Sequence, residues 1–249
     1  MESAESCRPP WVLFFEGLNH SYKDLEREHT VWFSSPQRFE FKPQDITLLV
    51  GRSGSGKSTL LNLIGGLDLP QGGQLRIRWD VHQQAKQRDM PRDHRGLAHY
   101  RREKVCYLFQ DGGLIEEMSV MENVMLPLRY AAANARESRE ACRRALERVG
   151  LADKIGKHIS QLSGGERHRV GLARTIARRA EIVICDEPTA ALDKDTGQLV
   201  RKILEEEAER GACVFIATHD PVLIEANIAN YIIELDEGCA RVRKCRRNA

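Results

Sequence analysis

Four short stretches put groups suited to phosphate chemistry at the ends of apolar runs. "GRSGSGKST", Gly51–Thr59, follows the run "ITLLV" at 46–50 and has the spacing G-x-x-x-x-G-K-[ST]. Its small residues, Gly51, Ser53, Gly54, Ser55 and Gly56, let successive backbone N–H groups turn inward as an anion nest at the start of a helix. Lys57 then reaches the β- and γ-phosphates of a nucleotide, and Ser58, followed by Thr59, offers a hydroxyl to Mg²⁺. "IVICDEP", 182–188, ends in two carboxylates. Asp186 is suited to holding Mg²⁺, and Glu187 to polarising an attacking water. "FQDGG", 109–113, and "ATHDP", 217–221, end two further runs with Gln110 and His219. Gln110 is a candidate metal contact, and both residues are candidate sensors of a γ-phosphate. Alone, a strand ending in "DE" is an ordinary solvated strand end, and a single Gln or His is more often a structural hydrogen-bonder. Their weight comes from standing beside a phosphate loop.

A second stretch raises a different question. In "QLSGGERHRV", 161–170, Ser163 and Glu166 have the spacing of a capping box, so a helix is expected from there to about Ala180, with Val170, Ala173, Ile176 and Ala177 inward. Capping accounts for the serine and the glutamate but not for Gly164 and Gly165, which cost roughly 1 kcal/mol each in a helix relative to Ala. Bare N–H groups at a helix start make a second anion site. The chain thus holds one nucleotide loop but two phosphate receptors, the loop itself and this helix start.

The positioning elements follow from the patterning. "ITLLV", "VCYLF" (105–109), "IVIC" (182–185) and "CVFIAT" (213–218) do not alternate, which suits strands buried on both faces of a parallel sheet. Ligands of such sheets collect beyond the carboxyl ends of the strands, so Gly51, Gln110, Asp186 with Glu187, and His219 are expected in one site. The first fifty residues and "GGQLRIRW" (72–79) read as an antiparallel flank. "YIIELDEGCARV" (231–242) reads as a hairpin turning at Asp236–Gly238. Residues 80–104 are polar without a clear period and read as loop and broken helix. Helices are expected over 117–160, where Ser119 and Glu122 form another capping box. There a second helix puts Ala141, Cys142, Ala145, Leu146 and Val149 on one face before Gly150 stops it.

The chain has 249 residues, 41% hydrophobic and 30% charged, with a mean hydropathy of -0.46. No apolar run approaches the roughly 18 residues of a membrane span. The polar N-terminus lacks the pattern of a secretory signal, so a cytosolic chain is expected. Seven scattered cysteines show no C-x-x-C spacing, which argues against disulfides and a zinc site. The 38 basic and 36 acidic residues give a net charge of +2, which supplies no argument for nucleic acid, and none is expected as a partner. The basic run "RVRKCRR" at 241–247 reads as a solvated, frayed terminus.

From about residue 11 to 242 the chain resembles the nucleotide-binding subunit of ATP-binding-cassette (ABC) transporters. The resemblance rests on the phosphate loop, Gln110, "LSGGE" (162–166), "CDEP" (185–188), "ALD" (191–193) and His219 in that order. It implies one α/β domain over 1–249: a P-loop NTPase (RecA-like) core with an antiparallel β flank at 11–110 and 160–242, and an inserted helical subdomain at 111–160. It implies ATP and Mg²⁺ as cofactors, and a partner ATPase subunit packed head to tail, most simply a second copy. Ser163, Gly164 and Gly165 of one chain would then face the γ-phosphate in the other. Asp193 would belong to the loop that signals across this interface, and Tyr22 would stack on adenine. An integral-membrane permease would dock near Gln110, with the ATPase peripheral on the cytoplasmic side of the membrane.

"GGLDLPQGG" and "FQDGGLIEEMSVMENVMLPL" are similar to the lipoprotein-releasing and macrolide-exporting group, which also includes a cell-division member. That implies export or extraction of a hydrophobic or lipidated substrate. Ala190 and Ala191, His168, and the long 80–104 segment depart from the group's usual pattern without removing a catalytic group. Two other readings share the motifs. One is an ATPase coupler driving a membrane partner that regulates an extracytoplasmic enzyme, and the other is an ABC ATPase acting on DNA or ribosomes. Against the last, only about a hundred residues separate Lys57 from Ser163, too few for a long coiled coil.

Overall fold

The four apolar runs lie side by side. In the computed structural model, which describes residues 12–23, 28–33, 38–78, 87–129, 134–190 and 192–245, the strands in chain order are β1 (Leu13–Lys23), β2 (Glu28–Phe33), β3 (Arg38–Phe41), β4 (Ile46–Val50), β5 (Gly72–Arg78), β6 (Gln87–Asp89), β7 (Val105–Leu108), β8 (Ile182–Asp186), β9 (Cys213–Ala217), β10 (Tyr231–Asp236) and β11 (Cys239–Lys244). They form one sheet in the order β6-β5-β1-β2-β11-β10-β4-β9-β8-β7, with β3 paired to β1. Strands β10, β4, β9, β8 and β7 run parallel. The flank of β1, β2, β3, β5 and β6 is antiparallel. The hairpin of β10 and β11 joins the two halves, because β11 also pairs with β2.

Alternate side chains of the central strands enter two different cores, which is why these sequences are apolar throughout. Ile46 and Leu48, Val183 and Cys185, and Val214 and Ile216 point into one core; Leu49, Ile182, Ile184 and Phe215 point into the other. The helices are α1 (Lys57–Ile64), α2 (His94–Lys104), α3 (Val120–Met125), α4 (Ala135–Arg148), α5 (Gly164–Ala177), α6 (Lys194–Glu209) and α7 (Pro221–Glu225). The first core packs under α3 to α6 through Val124, Leu146, Val170 and Leu204. The second holds Leu60, Leu61 and Ile64 of α1 against the flank. There Phe41 stacks edge-on against Phe215 at 5.1 Å, tying flank to central sheet.

Both capping boxes form: Ser119 with Glu122 at α3, and Ser163 with Glu166 at α5. Helix α4 buries Cys142, Ala145 and Leu146 and ends before Gly150, whose φ of 70° turns the chain away. Its last residue, Arg148, donates to Glu206 at 2.8 Å and to the buried Glu207 at 2.7 Å, both on α6. Arg210 also pairs with Glu207, so that buried carboxylate is compensated on both sides.

Three expectations require correction. Residues 80–104 are not loop and broken helix throughout, since 87–89 form β6 and 94–104 form α2. Asp93 caps α2 by accepting from the Gly96 N–H at 2.8 Å, Leu97 and Tyr100 are its buried anchors, and the Tyr100 hydroxyl donates to the Ile64 carbonyl at 2.8 Å. Helix α5 stops at Ala177 instead of near Ala180, with Arg179 at φ 56° reversing the chain. The basic run at 241–247 is solvated as expected, with Arg241, Arg243 and Lys244 exposed, but as far as Lys244 it is paired strand and not frayed. Its last residues, the N-terminal segment to Trp11, residues 79–86, Ala191 and the side chain of Tyr22 lie outside the described residues.

Tyr100→Phe removes a buried donor from the end of α1. It is expected to cost about 1 kcal/mol, which a thermal unfolding scan reads as a melting temperature lower by a few degrees.

Candidate nucleotide site

Gly51, Gln110, Asp186, Glu187 and His219, which stand beyond the ends of four neighbouring strands, line a single cavity of about 490 Å³. The phosphate loop closes its other side with Arg52, Ser53, Gly54, Gly56, Lys57, Ser58 and Thr59. Gly56 precedes α1 at φ 100°, a conformation an L side chain rarely adopts, so the turn that aims the first N–H groups of α1 at the cavity needs glycine there. Ser55 is the member of the loop outside the lining. Its side chain is buried, with no hydrogen-bond partner for its hydroxyl among the described residues, and its N–H donates to the Arg52 carbonyl at 3.1 Å. Arg52 occupies an unspecified position of the motif, so no sequence signal marked it.

Lys57 is buried, and its Nζ donates to the carbonyls of Gly51 at 2.9 Å and Arg52 at 3.2 Å. Its ammonium stands 4.0 Å from Glu187 Oε1. Glu187 is buried at the end of β8 with φ 50°, a region a non-glycine residue enters only when its surroundings hold it there. Three contacts do so. Its N–H donates to the Ala217 carbonyl at 2.9 Å, and its carboxylate accepts from His219 Nδ1 at 2.9 Å and from the His219 N–H at 3.3 Å. Burial raises the Asp186 pKa above its ordinary value; the Ser58 hydroxyl acts against this, the Glu187 charge adds to it, and the Lys57 ammonium also opposes it.

These donors fit a magnesium nucleotide. Asp186, Ser58 and Gln110 offer only oxygen ligands of the kind a hard cation takes, and among the described residues no His/Cys/Asp/Glu cluster competes as a protein-only metal site. The Lys57 ammonium and the N-terminus of α1 supply the positive charge that a polyphosphate requires.

Ser163, Gly164, Gly165 and Asp193 lie outside this cavity. Asp193 caps α6, accepting from the Thr196 N–H at 2.9 Å. Ser163 and Gly164 are exposed. A Cβ on Gly164 would meet nothing within 4 Å, so packing inside this chain does not call for glycine there. Tyr22 sits in β1 opposite His29.

The family described as "ABC transporter" matches residues 35–190. A macrolide export ATP-binding/permease protein MacB of Bradyrhizobium diazoefficiens is 41% identical over 194 residues, 78% of this chain and 28% of that protein. A MacB of Sodalis glossinidius is 38% identical over 228 residues, 91% of this chain and 33% of that protein. The chain therefore spans about a third of the length of these relatives. Among solved structures, a dimeric, post-hydrolysis state of the ATP-binding cassette MJ0796 bound to ADP and Pi superposes with a TM-score of 0.79 at 31% identity, covering 94% of this chain and 99% of that one. Among the described residues no helix is long and apolar enough to cross a membrane. With the family match covering more than half its length and agreeing with the loop, carboxylates and sheet described above, the chain belongs to the ABC transporter family and carries that family's ATPase cassette.

Proposed function

We propose that the chain is the Mg²⁺-dependent ATP-hydrolysing engine of a membrane exporter, working as a pair of cassettes beneath an integral-membrane permease on the cytoplasmic side of the membrane. The observation that carries this reading is the division of phosphate-binding parts. One cavity holds the phosphate loop, both carboxylates and His219, while the Ser163–Gly165 helix start lies outside it with Ser163 and Gly164 exposed. A receptor with no ligand in its own chain is best used by a partner's ligand. The relatives are macrolide export ATP-binding/permease proteins, which supports a permease partner and an apolar cargo, hydrophobic or lipidated.

In this reading Gly51–Thr59 grips the β- and γ-phosphates, with Lys57 neutralising charge that develops on the transferring group. Asp186, Ser58 and Gln110 would hold Mg²⁺, which supplies further charge neutralisation to the phosphates. Glu187 orients the attacking water and takes its proton, and the two contacts from His219 hold the carboxylate for that task. Tyr22 is assigned to the adenine ring and Asp193 to the interface between cassettes. The division into a core at 11–110 and 160–242 and a helical subdomain at 111–160 belongs to the same reading. Excluding water from the closed pair strengthens every one of these interactions.

The test has two arms. The purified chain should release phosphate from ATP only with Mg²⁺, and it should co-purify from detergent-solubilised membranes with one integral-membrane protein whose reconstitution changes that rate. Phosphate release with no such partner recovered would leave the ATPase standing and remove the exporter.

A further inference from the structure

Helix α5 carries more than the Ser163–Gly165 end. Farther along it, Arg174 donates from Nη1 to the Gly113 carbonyl at 2.6 Å and from Nη2 to the Gly112 carbonyl at 2.5 Å. Both carbonyls belong to the turn that begins at Gln110, and the guanidinium bonds them as a fork, with the Asp111 charge of the same turn adding a favourable interaction. The helix lies directly on that turn, since a Cβ at Gly171 would come within 3.0 Å of Leu108 Cδ1 and 3.3 Å of Gly112 Cα. Earlier on the same helix, the buried His168 donates from Nε2 to the Pro188 carbonyl at 2.6 Å, and Pro188 follows Glu187. Burial lowers the His168 pKa, and the bond to the Pro188 carbonyl acts against that shift.

We propose that Arg174 and His168 are positioning residues of the ATPase: through them α5, whose N-terminus faces the partner's nucleotide, holds the Gln110 turn and the Glu187 segment of its own site in register. This rests on the reading of Glu187 as the water-activating carboxylate and of Ser163–Gly165 as a receptor for the partner's phosphate. A helix is stiff, so a contact that shifts its N-terminus shifts both attached loops together. The site in each chain thereby responds to closure on its neighbour. A planar guanidinium fork spans two adjacent carbonyls, whereas a lysine ammonium is a point charge that does not reproduce the fork. A glutamine at 168 offers an amide N–H to the same carbonyl, and a leucine offers no donor.

The test compares Arg174→Lys, His168→Leu and His168→Gln in the full chain, with Glu187→Gln in parallel, by steady-state phosphate release and thermal unfolding. Arg174→Lys and His168→Leu are expected to lower kcat by roughly 10- to 100-fold, the scale of a misplaced catalytic group, with the KM for ATP within about twofold of wild type. His168→Gln is expected to restore kcat to within about twofold. Combined with Glu187→Gln, His168→Leu is expected still to form the ATP-dependent dimer. Wild-type kcat in Arg174→Lys and His168→Leu, beside an inactive Glu187→Gln, overturns the positioning role and leaves the catalytic reading intact. The same holds for a loss confined to KM or to melting temperature. Full turnover in Glu187→Gln overturns both together. Should Arg174→Lys fail to fold, the contrast between His168→Leu and His168→Gln decides alone.

Discussion

Glu187→Gln is expected to lower ATP turnover by about 1,000-fold while leaving ATP binding intact. The replacement keeps the size of the side chain and an oxygen able to accept from His219 Nδ1, now 2.9 Å from the carboxylate, and gives up only the longer bond from the His219 N–H at 3.3 Å. What is lost is the base. The amide cannot take a proton from water, and general-base help is worth roughly 100- to 10,000-fold. Removing a negative charge 4.0 Å from the Lys57 ammonium also eases the approach of a polyphosphate, so binding is preserved or tightened. Nucleotide that binds and is not consumed holds the closed state, and an ATP-bound dimer should accumulate. Phosphate release and sedimentation velocity measure the two halves of this expectation. Wild-type turnover in the variant would remove Glu187 from its assigned role.

Ser163→Arg is expected to abolish ATP-dependent dimerisation, weakening it by about 100-fold or more, the coupling energy of a few kcal/mol that a bridging ligand supplies. The long side chain would cover the helix start at Gly164 and Gly165 without entering the cavity around Lys57, which neither glycine lines. The cost inside the chain is loss of the cap on the Glu166 N–H, about 1 kcal/mol, too little to unfold a domain of this size. ATP binding to the monomer is therefore expected to remain, as read by a fluorescent nucleotide. A variant that dimerises like wild type would end the claim that Ser163 serves the partner.

The sequence made the central sheet legible because β4, β8 and β9 are buried on both faces and so carry continuous apolar runs. The groups at their ends could then be assigned to one site by the rule for parallel sheets. Helix α2 was hidden because only Leu97 and Tyr100 anchor it, and two apolar residues three apart are too few to define a period. The early end of α5 had no marker either, since the residue with positive φ is Arg179 rather than a glycine. Arg174 carried no signal and His168 stood out only as a departure from the group's pattern, because their partners Gly112 and Pro188 are 62 and 20 positions away in the chain. Spacing reveals contacts within an element, and such long-range contacts appear only when the elements are assembled. The paired glycines at 164 and 165 were visible from the start. What the structure added is that nothing among the described residues presses on Gly164.

The central claim is that each working site is built from two chains, and mixing two defective chains tests it most directly. Lys57→Ala spoils the phosphate loop and keeps the Ser163–Gly165 receptor, while Ser163→Arg does the reverse. In a mixed head-to-tail dimer one site receives the intact loop of one chain and the intact receptor of the other. An equimolar mixture should therefore recover turnover that neither variant shows alone, up to about a quarter of wild type, because half the dimers are mixed and each has one intact site of two. Turnover of the mixture no greater than the sum of the two variants measured apart would contradict the shared site.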